Sequence, residues 1–373
     1  MAKLWLILIG VNHYQDAQLP NLRYSVMDCQ GLSEALQEAL QGTEKMLTVH
    51  HDGMAQPPTL KTVQASLANI TANAQAQDTV LLYFSGHGVQ DPNSQQAVLC
   101  LADTQKEQLL ETGLSLQGIL QDLSQCPAQQ QLVWLDACHS GGMTLRGTEA
   151  SGTEINRSQT NRKTTLPNPT SQFVSVLRER AAKSSGFYAL LSCDQDQRSW
   201  EFPQLGHGVF TYYLMRGLRG EAANGQGAIS ADSLYRYVYY QTLRYIDKTN
   251  QQLRLINQQK RSKAESSLQS EYPLQTPKRI VEGVGENVLV QKVPESEYRY
   301  PRQAILIDGM CNSSSSLALG KLFRRAGDFE LAYWPQPNAS WTDVRGAIQD
   351  CLKASGVGER AASALESATA LLY

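Results

Sequence analysis

Two residues of the sequence have the types that nucleophilic chemistry requires, and each stands at the carboxyl end of an apolar run. The first is His87, in Asp78-Thr-Val-Leu-Leu-Tyr-Phe-Ser85-Gly86-His87-Gly88. The second is Cys138, in Gln131-Leu-Val-Trp-Leu-Asp136-Ala137-Cys138-His139-Ser140-Gly141-Gly142. Both runs have strand length, and in an open parallel sheet the carboxyl edge is where ligands and reacting groups gather. If the two strands are neighbours, about 4.8 Å apart, imidazole and thiol come within reach of each other. In such a pair the thiolate attacks, while the imidazole lowers the thiol pKa and later protonates a departing amine. Flanking glycines let a peptide backbone approach, and the amides of Gly88 and Cys138 are candidate donors to an oxyanion. The competing reading is a satisfied strand-end histidine and a buried core thiol.

Those positions require a scaffold, and the chain supplies its pattern. Strand-length apolar runs at Leu4–Val11, Met46–His50, Thr79–Ser85, Leu132–Ala137 and Phe187–Cys193 alternate with helical spacing over Tyr24–Leu40, Leu60–Ala72 and Ser115–Ser124, and Gly208–Gly220 follows the last strand. This alternation predicts an α/β fold with a mostly parallel sheet flanked by helices. A strand over Asn287–Val293 is expected to close the sheet, and a Tyr-rich helix over Ser230–Asp247, with Tyr235, Tyr237, Tyr239 and Tyr240, to cover it. The Ser-, Thr- and Arg-rich run Gly142–Ser185 reads as a long exposed loop, and such loops are usually functional or disordered. A smaller α/β unit is expected over residues 294–373, with a strand at Gln303–Asp308 and helices around Ser316–Ala326, Thr342–Ala354 and Glu359–Leu372.

Composition narrows the function classes. The 33 Lys and Arg against 35 Asp and Glu leave a net charge of −2, without the basic footprint of a nucleic-acid binder. The 42% hydrophobic share supports a core. Seven cysteines, an odd number without a CxxC pair, fit a reduced, cytoplasmic protein and no metal-ligand spacing. The apolar Leu4–Val11 lacks a cleavage site after it and reads as a buried strand, and no run approaches the roughly 20 residues of a membrane span. Gly283-Val284-Gly285 precedes a strand instead of a helix, so it is no phosphate loop, and no cofactor is implied.

The strand ending in Ser85-Gly86-His87-Gly88, followed by Asp136-Ala137-Cys138-His139-Ser140-Gly141-Gly142, resembles the caspase-fold cysteine peptidases, most closely their metacaspase and bacterial orthocaspase branch. Ile9-Gly10-Val11-Asn12-His13-Tyr14 and Leu191-Ser192-Cys193-Asp194-Gln195-Asp196-Gln197 through Gly208-Val209-Phe210 agree, so the resemblance spans roughly residues 3–293. It implies a caspase-like sandwich around a six-stranded sheet, with a large-subunit part over 1–141, a linker over 142–185 and a small-subunit part over 186–293. It also implies cleavage after Arg or Lys by a protein that is mostly monomeric in this branch.

A subsite for a cationic side chain needs buried carboxylates, because a desolvated guanidinium without a partner is very costly. Asp136 shares a strand face with Cys138 by the period of two and matches the family's pocket acid. Asp28 and Ser85 are carried over by the resemblance. A further acid is expected after Cys193, with Glu201 favoured and Asp196 second. The resemblance also implies self-processing in the linker, at Arg146, Arg157, Arg162 or Lys163. Many members require calcium; this sequence carries no acidic run with oxygen-ligand spacing, so calcium-independent activity is expected. The alternative from another class is a catalytically weak caspase-like scaffold for signalling or interaction.

Overall fold

A computed structural model describes residues 2–55, 57–137, 169–184, 186–195, 197–225, 227–262, 268–281, 288–290, 302–307, 329–334 and 346. The chain divides into two compact units, Met1–Pro294 and Glu295–Tyr373. The first opens with β1 (Leu4–Gly10), α1 (Ser25–Ala39), β2 (Lys45–His51), α2 (Leu60–Asn73) and β3 (Thr79–Ser85). Three short strands follow, β4 (Gly88–Gln90), β5 (Ala97–Leu99) and β6 (Leu114–Ser115), paired antiparallel, with the single-turn α3 (Leu109–Thr112) between the last two. Then come α4 (Leu116–Gln125), β7 (Gln130–Asp136), α5 (Thr170–Ala182), β8 (Phe187–Leu191), β9 (Glu201–Phe202), β10 (His207–Gly208) and α6 (Val209–Arg216). The unit ends with β11 (Ile229–Ser230), α7 (Ala231–Ser262), β12 (Lys278–Val281) and β13 (Val288–Val290).

The central sheet has six strands in the order β12-β8-β7-β3-β1-β2, all parallel except β12. In β1 every residue from Trp5 to Ile9 is buried, because helices cover both faces. Trp5, Ile7 and Ile9 join the core built with α2, α4 and α5. Leu6 and Leu8 join the opposite core, with α1, α6 and α7. Each such side chain contributes about 1.5–3 kcal/mol on burial. The alternating strand and helix patterns of the sequence thus give a mostly parallel, caspase-like α/β sandwich.

Three expectations are corrected. The closing strand is not Asn287–Val293: Lys278–Val281 pairs with β8, and Val288–Val290 pairs with β11. The run Gly142–Ser185 is not loop throughout, because Thr170–Ala182 is helical and buries Phe173, Val174, Leu177 and Ala181 on one face. The Tyr-rich helix runs on to Ser262 and buries Leu234, Val238, Thr242, Ile246 and Asn250 along one stripe. Its polar extension is held by two asparagines. Asn250 exchanges bonds with the backbone of Tyr272, at 2.8 and 2.7 Å, and Asn257 with that of Gln269, at 2.7 and 2.8 Å. Tyr235, Tyr237 and Tyr245 flank the apolar stripe, whereas Tyr240 is exposed.

In the second unit, β14 (Arg302–Ile307) and β15 (Phe329–Trp334) pair in parallel. Of the helices expected there only Gly346, within Thr342–Ala354, is described, and it is helical; the rest lies outside the described residues. Among the described residues, no helix is long and apolar enough to cross a membrane, and no group of three or more His, Cys, Asp and Glu could hold a metal ion.

Candidate active site

The registers of the sheet place Gly10, Ser85 and Asp136 in one row across the carboxyl edge, on β1, β3 and β7. His87 follows β3, and Cys138, two residues beyond Asp136, lies outside the described residues. Ala137 is described, and its carbonyl is the closest contact that a side chain at Gly88 would meet. Phe173 of α5 would stand 2.8 Å from the same added carbon, so only glycine fits here. The residue before Cys138 therefore abuts the residue after His87.

His87 is 4% exposed and held from three sides. Its backbone N–H donates to the Tyr14 hydroxyl at 2.8 Å, and the two rings meet at a tilt of 36° with centroids 4.9 Å apart. Its carbonyl accepts from Cys100 N at 2.8 Å. Nε2 lies 2.7 Å from the carbonyl oxygen of Pro20. A carbonyl can only accept, so Nε2 carries the proton and Nδ1 of the neutral ring holds the lone pair. Neither Tyr14 nor Pro20 was foreseen; a backbone carbonyl leaves no side-chain signal in a sequence.

Asp28, Ser85 and Asp136 are fully buried and Glu201 is 2% exposed. Helix α1 reaches the sheet because Gly10 has no side chain: a Cβ there would meet the carbonyl of Ser25 and the Cβ of Cys29. That approach sets Asp28 beside Ser85, whose hydroxyl donates to Asp28 Oδ2 at 3.3 Å. Asp28 Oδ1 accepts from Gly208 N and lies beside His207 Nδ1, both at 3.0 Å. Asp136 accepts from the Ser199 hydroxyl at 2.7 Å and the Thr211 hydroxyl at 2.9 Å.

The two carboxylates converge on Gly208. A Cβ built there would sit 2.9 Å from Asp136 Oδ2 and 3.1 Å from Asp28 Oδ2. Glu201 stands directly opposite Gly208 in the β9–β10 pair. The β9 strand is tied to the sheet by buried Gln275, which donates to the carbonyl of Ser192 at 3.0 Å and to the Ser199 hydroxyl at 3.2 Å, and accepts from Trp200 N at 2.9 Å. Behind Asp136, the Tyr83 hydroxyl lies 2.7 Å from that of Thr211. Burial, then the charges of Asp28 and Asp136, push the Tyr83 phenol well above its ordinary value, so it stays protonated and donates.

Sequence reasoning named Asp28, Ser85, Asp136 and Glu201, and the fold brings these four together. It missed Ser199, Thr211, His207 and Gln275, small or polar residues whose positions depend on contacts remote in sequence. Asp196, Arg146, Arg157, Arg162 and Lys163 lie outside the described residues. Among the described residues, Cys29, Cys100 and Cys126 are buried free thiols, and Cys193 is buried as well. Burial pushes the thiols of Cys29 and Cys100 up, the charges of Asp28 and Asp52 adding at Cys29, which makes both poor nucleophiles.

A mostly parallel six-stranded sheet between two helical layers, with buried acids and a histidine on its carboxyl edge, defines a caspase-like α/β protein. The caspase-domain family of peptidase class C14 matches residues 3–269, and the chain belongs to that family. Membership supplies cysteine-peptidase-type function. No curated protein matches the chain. Among solved structures, the crystal structure of protein GSU0716 from Geobacter sulfurreducens is similar, at 17% identity and a TM-score of 0.46, covering 78% of this chain and 97% of that one.

Proposed function

We propose that this protein is a cysteine endopeptidase that cleaves peptide bonds after Arg or Lys, with Cys138 as nucleophile and His87 as its acid–base partner. The observation that carries the reading is the convergence of two fully buried carboxylates, Asp28 and Asp136, on Gly208, along the sheet edge that bears His87. Buried carboxylates favour a cationic ligand, and a guanidinium restores by bidentate hydrogen bonds what desolvation removes.

In this reading His87 Nδ1 takes the thiol proton, and the Cys138 thiolate attacks the carbonyl carbon after the cationic residue. The backbone N–H groups of Gly88 and Cys138 stabilise the oxyanion. The tetrahedral adduct collapses as the His87 imidazolium gives its proton to the departing amine. His87 then draws a proton from water, which hydrolyses the thioester and regenerates the thiol. The Pro20 carbonyl and the Tyr14 ring keep the imidazole aimed through these steps. Asp28 and Asp136 hold the cationic side chain, with Ser85, Glu201 and Asp196 completing the subsite.

The same specificity extends to self-processing at Arg146, Arg157, Arg162 or Lys163, by a monomer that needs no calcium. Fluorogenic peptides ending in Arg, Lys, Asp or Leu test the reading, in calcium and in excess chelator. Turnover after Arg and Lys only, unchanged by chelator, is the expected result. Cleavage after Asp would overturn the subsite assignment, and no turnover with any peptide would favour the scaffold alternative. Intact masses of wild-type and Cys138→Ala protein test self-processing: cleaved fragments are expected in the wild type alone.

A further inference from the structure

His207 has no part in the bond-breaking steps, yet its imidazole contacts one of the two converging acids. It stands on β10, with Nδ1 3.0 Å from Asp28 Oδ1. Gly208 N donates to that same oxygen. The other oxygen, Oδ2, faces the point it shares with Asp136 Oδ2 and takes the Ser85 hydroxyl. One edge of Asp28 is therefore fixed by the hairpin, and the other is turned toward the second acid. The two partners differ in access to water: the His207 side chain is 18% exposed and that of Asp28 is 0% exposed. An ionised carboxylate only accepts, so Nδ1 carries the proton in this contact, and Nε2 is where a second proton would add.

We propose that His207 sets the strength and pH response of the cationic subsite. Neutral, it orients Asp28 through its Nδ1–H. Doubly protonated, it places a competing positive charge on that carboxylate and weakens capture of the substrate's cationic side chain. The inference rests on the reading that Asp28 lines the subsite. Among the described residues, the charged and titratable groups around the imidazole and its neighbour Gly208 come from four elements. They are Asp28 of α1, Asp136 of β7 across Gly208, Glu201 of β9 opposite Gly208, and Tyr212 with Arg216 of α6. Arg216 lies over the Tyr212 ring and pairs with Glu221 at 2.5 Å, so its charge has its own partner. Gly31 of α1 lets the ring lie close, since a Cβ there would stand 3.2 Å from His207 Cε1.

Steady-state kinetics with an Arg peptide between pH 5.5 and 8 provide the test, because a positioning role moves KM and its pH profile more than kcat. Wild-type KM is expected to rise about five- to tenfold toward pH 5.5, the size of an ordinary two-site coupling. His207→Asn keeps an amide donor near Nδ1 but cannot ionise. It is expected to hold the neutral-pH KM within about twofold and to abolish the acid rise. His207→Ala should raise KM across the range with kcat little changed. An acid rise in KM unaltered by His207→Asn would overturn the proposal. If Asp28→Asn leaves KM unmoved, the subsite reading itself fails, and that outcome is distinct from an Asp28-dependent KM that ignores His207. Calorimetry with agmatine, a bare guanidinium ligand, is independent of turnover. Weaker binding at pH 5.5 than at 7.5 in wild type but not in His207→Asn supports the proposal, and no binding or equal binding overturns it.

Discussion

Buried carboxylates flank both ends of strand β3, one at the amino end and two, from α1 and β7, at the carboxyl end, and the two ends are satisfied in opposite ways. At the amino end, Asp78 accepts from Lys3 N at 2.9 Å, Gln75 N at 2.9 Å and the Trp5 indole N–H at 3.0 Å. Burial would raise its carboxyl pKa. The bonds from Trp5, Gln75 and Lys3, with the Lys3 charge, outweigh that and hold it below the ordinary range. At the carboxyl end, Asp28 and Asp136 take the hydroxyls of Ser85, Ser199 and Thr211 and the His207 ring, with Gly208 N as the one backbone donor among these bonds. Backbone and indole donors cannot turn away, so Asp78 is locked into the fold. Hydroxyls and an imidazole can rotate and re-pair, as the proposed capture of a cation requires.

Four substitutions probe that contrast, beginning with the most damaging. Cys138→Ala should lower kcat/KM by about 10⁴ or more, since a nucleophile acts as a unit with its base. Peptide hydrolysis measures this. Asp136→Asn keeps the shape but removes charge from the proposed subsite and turns a carboxamide NH2 toward a hydroxyl that had donated to the carboxylate. It should cost about 10²-fold or more in kcat/KM for Arg peptides, in line with the 2–5 kcal/mol of a truncated buried charge pair. Circular dichroism should find its fold unchanged.

Gly208→Ala forces a methyl between the two carboxylates and should cost about 1–3 kcal/mol of overpacking, seen as a raised KM together with a lowered Tm. Asp78→Ala should lower stability by about 1–3 kcal/mol in denaturant titration, because buried donors lose their acceptor, with KM unmoved. The sign of its pH dependence follows from the lowered pKa. The stabilisation is present above the unfolded carboxylate value and is lost as pH falls through the folded one. The stability gap between wild type and Asp78→Asn should therefore shrink in acid.

The strands of the sheet were legible because burial on both faces demands unbroken apolar runs, as at Thr79–Ser85, which sequence and structure bound identically. Helix α5 was not, since its apolar face is interleaved with Ser, Arg and Glu at the end of a polar run. The far half of α7 was missed for a related reason: Asn250 and Asn257 fix it by bonds to a returning segment, not by apolar spacing. Lys278–Val281 looks less like a strand than Val288–Val290, and only the antiparallel register with Tyr188–Leu191 decides between them. At the site, acids and glycines next to strand ends stood out. The donors that hold those acids did not, because Ser199, Thr211 and His207 meet them through contacts 63 to 179 residues apart in sequence.

The most direct test of the central claim is covalent labelling by a peptidyl-arginine chloromethyl ketone, mapped by mass spectrometry, beside the aspartyl analogue. The reagent alkylates only a thiolate or imidazole that the cationic side chain has brought to it. One adduct on Cys138 with the arginyl reagent, little with the aspartyl one, and loss of labelling in Asp136→Asn are the results this account predicts. Equal labelling by both reagents, or an adduct placed on another cysteine, would contradict it.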